Sequence, residues 1–237
     1  MKNSHNPVLE ILESLENALS KLNIPEKRKE KILKDIAVQK QRYEKINQED
    51  IAGEEKKKVY QGITVKGKDL LEKLKSKNID AKEKENYILS FLLYIRAAYF
   101  DFKDLLKPLN TGIRLFALTS ALFIGLSPQF LGGAFSLLFL VPIFLGLNGL
   151  KRRRIFGFKM AMMIFPVALG VAALWIRFGI NAALNFQKVV ADTAHTLGKP
   201  VDIAKFFVIV PPIFALVLLA SSFIMAYYLY KSKEMLL

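Results

Sequence analysis

Residues 132–150 and 206–230 carry no charged side chain, and no other feature limits the possible folds of this chain so sharply. Each run is about as long as the ~20 helical residues needed to cross a bilayer core of ~30 Å. In hydrocarbon every backbone N–H and C=O must be satisfied within its own segment, so such a run is expected to be an α-helix. The second run holds about fourteen Leu, Ile, Val and Phe. At roughly −0.4 kcal/mol apiece they favour insertion by about 6 kcal/mol, against Pro211, Pro212 and a few hydroxyls.

Residues 155–176 are nearly as apolar. Lys159 stands one turn inside, where its stem can snorkel to the interface, and Pro166 is expected to kink the helix. The weakest span is 109–127, where Arg114 sits near one end and the apolar core is short. A full crossing and a re-entrant hairpin with the next segment both remain open, and Ser-Pro-Gln-Phe at 127–130 supplies the turn in either case. The reading is an all-α chain: a charged N-terminal helical bundle or coiled-coil domain at 1–108, then a bundle of about four transmembrane helices at 109–237. The spans are placed at 109–127, 131–150, 155–176 and 206–230.

Charge follows the same division. Residues 1–110 hold 23 Lys and Arg against 18 Asp and Glu, whereas residues 111–237 hold 12 against 3. The formal net charge of +14 is therefore drawn mainly from an apolar segment whose few charges are basic, as is usual beside anionic lipid headgroups. With no cysteine, disulfides, thiolate metal sites and thiol nucleophiles are all absent. The N-terminus has acids inside its apolar repeat and no small-residue cleavage site, so it does not read as a signal peptide.

Four helices are expected in the first half. Val8, Leu12, Leu15, Leu19 and Leu22 form an amphipathic stripe, opened by Asn6 as a cap and Pro7. A second helix should start at Asn23, with Pro25 and Glu26 in its first turn; Ile32, Ile36, Tyr43 and Ile46 make its stripe, which Gln39 interrupts. A third, from Glu54 to Lys77, has Val59, Gln61, Ile63 and Val65 alternating around Gly62 and Gly67. That is a local strand signal, but a lone strand lacks a partner, and a kinked helix is expected. The fourth should open on Asp80 and Glu83 as a capping box. It is apolar on almost every side from Ile88 to Phe100, which predicts a central helix or one lying on the membrane surface. An intramolecular bundle and an intermolecular coiled coil would share these spacings.

Ten Lys and Arg gather on one side of the expected spans: Lys103, Lys107, Arg114, Lys151, Arg152, Arg153, Arg154, Lys159, Lys231 and Lys233. Four lie on the other, namely Arg177, Lys188, Lys199 and Lys205. The positive-inside rule then puts both termini in the cytoplasm, and the plasma membrane is the expected location. Trp175 and Tyr227, Tyr228 and Tyr230 fall where interfacial aromatic belts belong. Lys151, Arg152, Arg153 and Arg154 are candidate contacts for anionic lipid, and more commonly such a cluster only fixes topology.

One external segment has a patterned polar face. Asn181, Asn185, Lys188, Asp192 and His195 recur at helical spacing, opposite Phe178, Ala182, Phe186, Val189 and Leu197, so an amphipathic helix is expected over 178–197, stopped by Gly198 and Pro200. The face would serve a ligand or partner, with Asp192 orienting His195, or would simply be solvated with Lys188 and Asp192 as an ion pair. No catalytic triad, metal-ligand spacing, cofactor loop or nucleic-acid face is present, and the spans contain no Asp, Glu or His. His5 is given no role. The expectation is a non-enzymatic scaffold, anchor or interaction subunit without metal or cofactor. Its partners would be lipid and a protein or a second copy, not nucleic acid. A pore-forming or transport-accessory subunit is the alternative.

Overall fold

The structure is a computed structural model that describes residues 6–76 and 78–237. His5 and Lys77, the expected end of the third helix, lie outside the described residues. All regular elements among the described residues are helical, and the chain divides into two compact units, the first ending at Leu106 and the second covering Lys107–Leu236.

In the first unit, α1 (Pro7–Ser20), α2 (Glu26–Glu44), α3 (Glu54–Lys75) and α4 (Ala81–Phe102) share one core. Leu12, Leu15, Ile36, Ile63, Ile88 and Leu92 are all buried there. Asn6 does more than cap α1. Its Oδ1 accepts from the Val8 N–H at 3.1 Å and from the Tyr60 hydroxyl at 2.8 Å, while its Nδ2 donates to the Tyr43 carbonyl at 3.2 Å. One amide thus fastens α1 to α2 and α3. Tyr43 in turn donates its hydroxyl to the Ile95 carbonyl at 2.8 Å, and burial raises its phenol well above the ordinary range. In the turn before α3, the Asn47 N–H, and after it Lys103, hold the Asp50 carboxyl below the usual carboxylate range.

Several local expectations change. α2 starts at Glu26, not Asn23, with Pro25 extended at ψ 133° and no side-chain cap. Proline bars its predecessor from helical backbone, so the helix cannot begin until Pro25 is passed. Gln39 does not interrupt a stripe but is wholly buried in it. Its Nε2 donates to Asp35 at 3.0 Å, and Asp35 also accepts from Arg96, a polar relay that ties α2 to α4. α3 is helical throughout, including the residues with strand-like alternation. Gly67 explains itself by packing: a Cβ there would stand 2.7 Å from Ile11 Cδ1, so the glycine admits α1. The capping box of α4 does not form a side-chain cap, because Glu83 accepts from the Tyr87 hydroxyl at 2.7 Å instead. α4 buries one face only, and Leu89 and Leu93 remain exposed. Its C-terminus closes in a Schellman turn: Asp104, at φ 53°, donates to the Asp101 carbonyl, and Leu105 donates to that of Phe100.

The second unit comprises α5 (Lys107–Leu126), α6 (Pro128–Leu131), α7 (Gly133–Leu138), α8 (Leu140–Lys151), α9 (Ile155–Leu184), α10 (Phe186–Leu197) and α11 (Val201–Lys231). Four stretches, Lys107–Leu126, Gly133–Lys151, Ile155–Leu184 and Val201–Lys231, are long and apolar enough to cross a membrane. Only 28% of the apolar window of the last three is buried within the protein. Water would not tolerate so much exposed Phe, Leu and Ile, and lipid requires it.

α5 runs antiparallel to α11 along its full length. Gly112 lies against Leu229 near one end, and the Thr119 hydroxyl donates to Ser221 at 3.1 Å in the middle. The second span is interrupted between α7 and α8, because Pro142 has no N–H for the Leu138 carbonyl. α8 and α9 form a tight hairpin in which Gly149 meets Gly157 backbone to backbone. α9 passes through Pro166 as one unbroken helix. The four-residue basic cluster occupies the hairpin turn. Arg153 adopts φ 57° and completes a second Schellman turn, with its N–H on the Leu150 carbonyl and the Arg154 N–H on that of Gly149.

Candidate functional site

Two places in the second unit gather polar groups, one at each end of its helices. The first is the basic end, where the α8–α9 turn, the start of α5 and the end of α11 meet. Lys151, Arg152 and Arg154 are exposed, whereas Arg153 is half-buried and donates through Nε to the Met235 carbonyl at 3.0 Å. Three of the four clustered cations therefore face outward, and the fourth secures the turn to the C-terminal segment.

The second is a half-open cavity of about 370 Å³ at the opposite end, bordered by α6, α9, α10 and α11, with Gln129, Asn181, Asp192 and Thr196 exposed at its mouth. Its shape follows from where helices stop. α5 ends at Leu126, and Pro128 opens α6, which Gly132 terminates at φ 78°. The expected helix at 178–197 does not form as one piece. α9 continues to Leu184, the break comes at Asn185 (φ −129°, ψ 43°), and α10 follows as a separate helix. Nothing at 176–178 ends a helix, and Gly179 favours continuation by letting α9 approach α11: a Cβ there would lie 2.7 Å from Pro212 Cβ. α10 ends as expected at Gly198, which adopts φ 60° with the Schellman bond from the Lys199 N–H to the Ala194 carbonyl. Ala182, Val190, Ala204 and Val208 form the small core that joins α9, α10 and α11.

Four aromatic rings line the cavity: Phe130, Trp175, Phe178 and Phe207. Trp175 stands edge-to-face with Phe130 at 5.1 Å and with Phe178 at 5.5 Å. It is not the exposed interfacial anchor that its position suggested. The indole is buried, and its Nε1 donates at 2.8 Å to the Leu126 carbonyl, an acceptor left over at the end of α5. The polar part of the wall is Gln129, Asn181, Asp192, Thr193 and Thr196, and no Lys, Arg or His is among the lining residues.

The five residues of the expected polar face are thus divided. Asn181 and Asp192 line the cavity, and Asn185 sits at the helix break, donating through Nδ2 to Asn181 Oδ1 at 3.2 Å. Lys188 and His195 are exposed on α10 outside it. The expected Lys188–Asp192 ion pair is not formed, nor does Asp192 hydrogen-bond His195; among the described residues the Asp192 carboxylate has no cationic partner. No cluster of three metal-ligating side chains occurs among the described residues. The lining residues that periodicity missed, Gln129, Phe130, Thr193, Thr196 and Phe207, come from three different helices. The one sequence signal for them was the density of aromatic residues flanking both helix ends. Comparison of the chain with protein families, with curated proteins and with solved structures gives no match.

Proposed function

We propose that this chain is a non-enzymatic scaffold of the plasma membrane, anchored by four spans, with both termini and the first unit in the cytoplasm. The basic end of the second unit supports the orientation, because exposed Lys151, Arg152 and Arg154 would meet the anionic inner leaflet there. Since the chain has no cysteine, single cysteines can report sidedness. At the exposed positions Gln129 and Asn185 they should react with an impermeant thiol reagent on intact cells. At the exposed positions Lys58 and Arg152 they should react only after permeabilisation. Labelling of Lys58→Cys on intact cells would reverse the topology.

The observation that carries the scaffold reading is a groove of about 400 Å³ between α2 and α4. Ile32, Val38 and Leu89 give it an apolar lining, beside exposed Lys31 and Lys34. Its other charges are engaged with each other, Arg28 with Glu85 and Arg96 with Asp35. Lys31 and Lys34 have no ion pair among the described residues, which leaves two cations beside an apolar strip. That combination suits an amphipathic helix of a partner protein with acids along its edge. A photo-crosslinking side chain at Val38 should capture one discrete acidic partner in cells, and the double change Lys31→Glu with Lys34→Glu should abolish the adduct. An adduct formed equally by that variant, or no protein adduct in the parent, sinks the scaffold reading.

A further inference from the structure

We infer that the cavity between α6, α9, α10 and α11 is a binding site for an organic ammonium group. Three observations point to a cation, and a fourth bounds its size. Phe130, Trp175, Phe178 and Phe207 line the cavity, and aromatic rings attract a cation within about 6 Å of the ring centre through their quadrupoles. Asp192 brings the one formal charge in the lining and has no cationic partner among the described residues. The lining contains no Lys, Arg or His, although Arg177, Lys188, Lys199 and Lys205 all lie in the flanking segments. Finally, the volume of about 370 Å³ falls at the low end of small-molecule pockets, which span roughly 300–1,000 Å³.

Other occupants fit less well. An anion would face the Asp192 carboxylate with nothing to offset it. A divalent metal ion would find a single carboxylate to offset its charge, and no cluster of three metal-ligating side chains occurs among the described residues. A lipid acyl chain would set hydrocarbon against the Asp192 carboxylate and the Gln129 amide, both of which need polar contacts. An ammonium that carries alkyl groups satisfies both halves of the wall: its charge pairs with Asp192, and its carbon surface lies on the rings. A choline-type lipid headgroup and a free amine share this chemistry. The inference rests on the second unit alone and is independent of the scaffold reading.

The single tryptophan of the chain lines this cavity, so the site reports on itself. In nanodiscs of phosphatidylglycerol, which has no ammonium group, choline should change the emission of Trp175 saturably in the full chain. Its neutral isostere, with a quaternary carbon in place of nitrogen, should not. Asp192→Asn should weaken the choline response by up to about fivefold, the range for an exposed ion pair. Lys188→Gln, on α10 but outside the cavity, should leave it unchanged. Nanodiscs of phosphatidylcholine then distinguish the sources. If the lipid headgroup is the occupant, emission starts at its choline-saturated value and added choline does nothing. If a free amine is the ligand, both lipids give the same titration. Retention of radiolabelled choline gives a second measurement that does not depend on fluorescence. An equal response to the neutral isostere, an Asp192→Asn titration like that of the parent, or silent emission together with no retained choline overturns the inference.

Discussion

Replacing Gly157 with valine will prevent the α8–α9 hairpin from closing, and even Gly157→Ala will be costly. A Cβ built at Gly157 stands 2.3 Å from the Gly149 carbonyl carbon and 2.3 Å from the Leu150 nitrogen. Both are backbone atoms, so no side chain can swing aside and one helix must move. Overpacking of this kind costs about 1–3 kcal/mol for a small group and more for a branched one. Displacing α9 also disturbs Gly146, which lies against Phe116 and close to the Ala161 nitrogen. Gly170 provides the internal comparison on the same helix, since a Cβ there meets nothing within 4 Å. Gly170→Ala should be neutral or gain up to about 1 kcal/mol from lower backbone entropy in the unfolded chain. Thermal unfolding in detergent, followed through Trp175, separates them. If Gly157→Ala melts with Gly170→Ala, the hairpin contact is wrong.

In the first unit, Leu92→Ala should remove about 2–5 kcal/mol of stability, and Leu93→Ala less than about 1 kcal/mol. The two residues are neighbours of the same type in the same helix, so helix propensity cancels between them. Only burial differs: Leu92 is 0% exposed within the core of α1–α4, and Leu93 is 40% exposed. Truncating Leu92 leaves a cavity that its neighbours fill only in part, whereas Leu93 gives up surface already in contact with water. Hydrogen exchange of the full chain in detergent should therefore show α1–α4 amides losing protection in Leu92→Ala while those of α9 and α11 hold. Equal effects from the two variants would place α4 in a different rotation from the one described.

What could be read from the amino-acid order was the helical class and the presence of four apolar helices long enough for a membrane. Both follow from patterns inside single segments. The Val8 to Leu19 spacing specifies its own helix, and an uncharged run needs no partner to reveal itself. Contacts between segments were hidden. Gln39 looks like a break in a stripe until Asp35 and Arg96 are seen to receive it. Trp175 resembles an interfacial anchor unless one knows that the Leu126 carbonyl lies within reach. The overrun of α9 beyond residue 176 was masked by Arg177, where the apolar run ends, while the close approach of Gly179 to Pro212 exists only in three dimensions. The cavity was half legible: Asn181 and Asp192 stood out by period, while the rings facing them come from segments that no periodicity connects.

The two longest helices have nearly equal lengths, 30 residues for α9 and 31 for α11, yet unequal apolar widths. Between Lys159 and Arg177, α9 offers 17 uncharged residues, about 25 Å at 1.5 Å per residue. Between Lys205 and Lys231, α11 offers 25, about 37 Å. In a bilayer, α9 is the member that resists thickening, because its charges would be drawn inward, while α11 can lodge Tyr227, Tyr228 and Tyr230 among the headgroups or lean. A change in lipid length therefore loads the two rods differently. The resulting shear falls on their junction at Gly179 and Pro212, directly beside the chamber that holds Trp175.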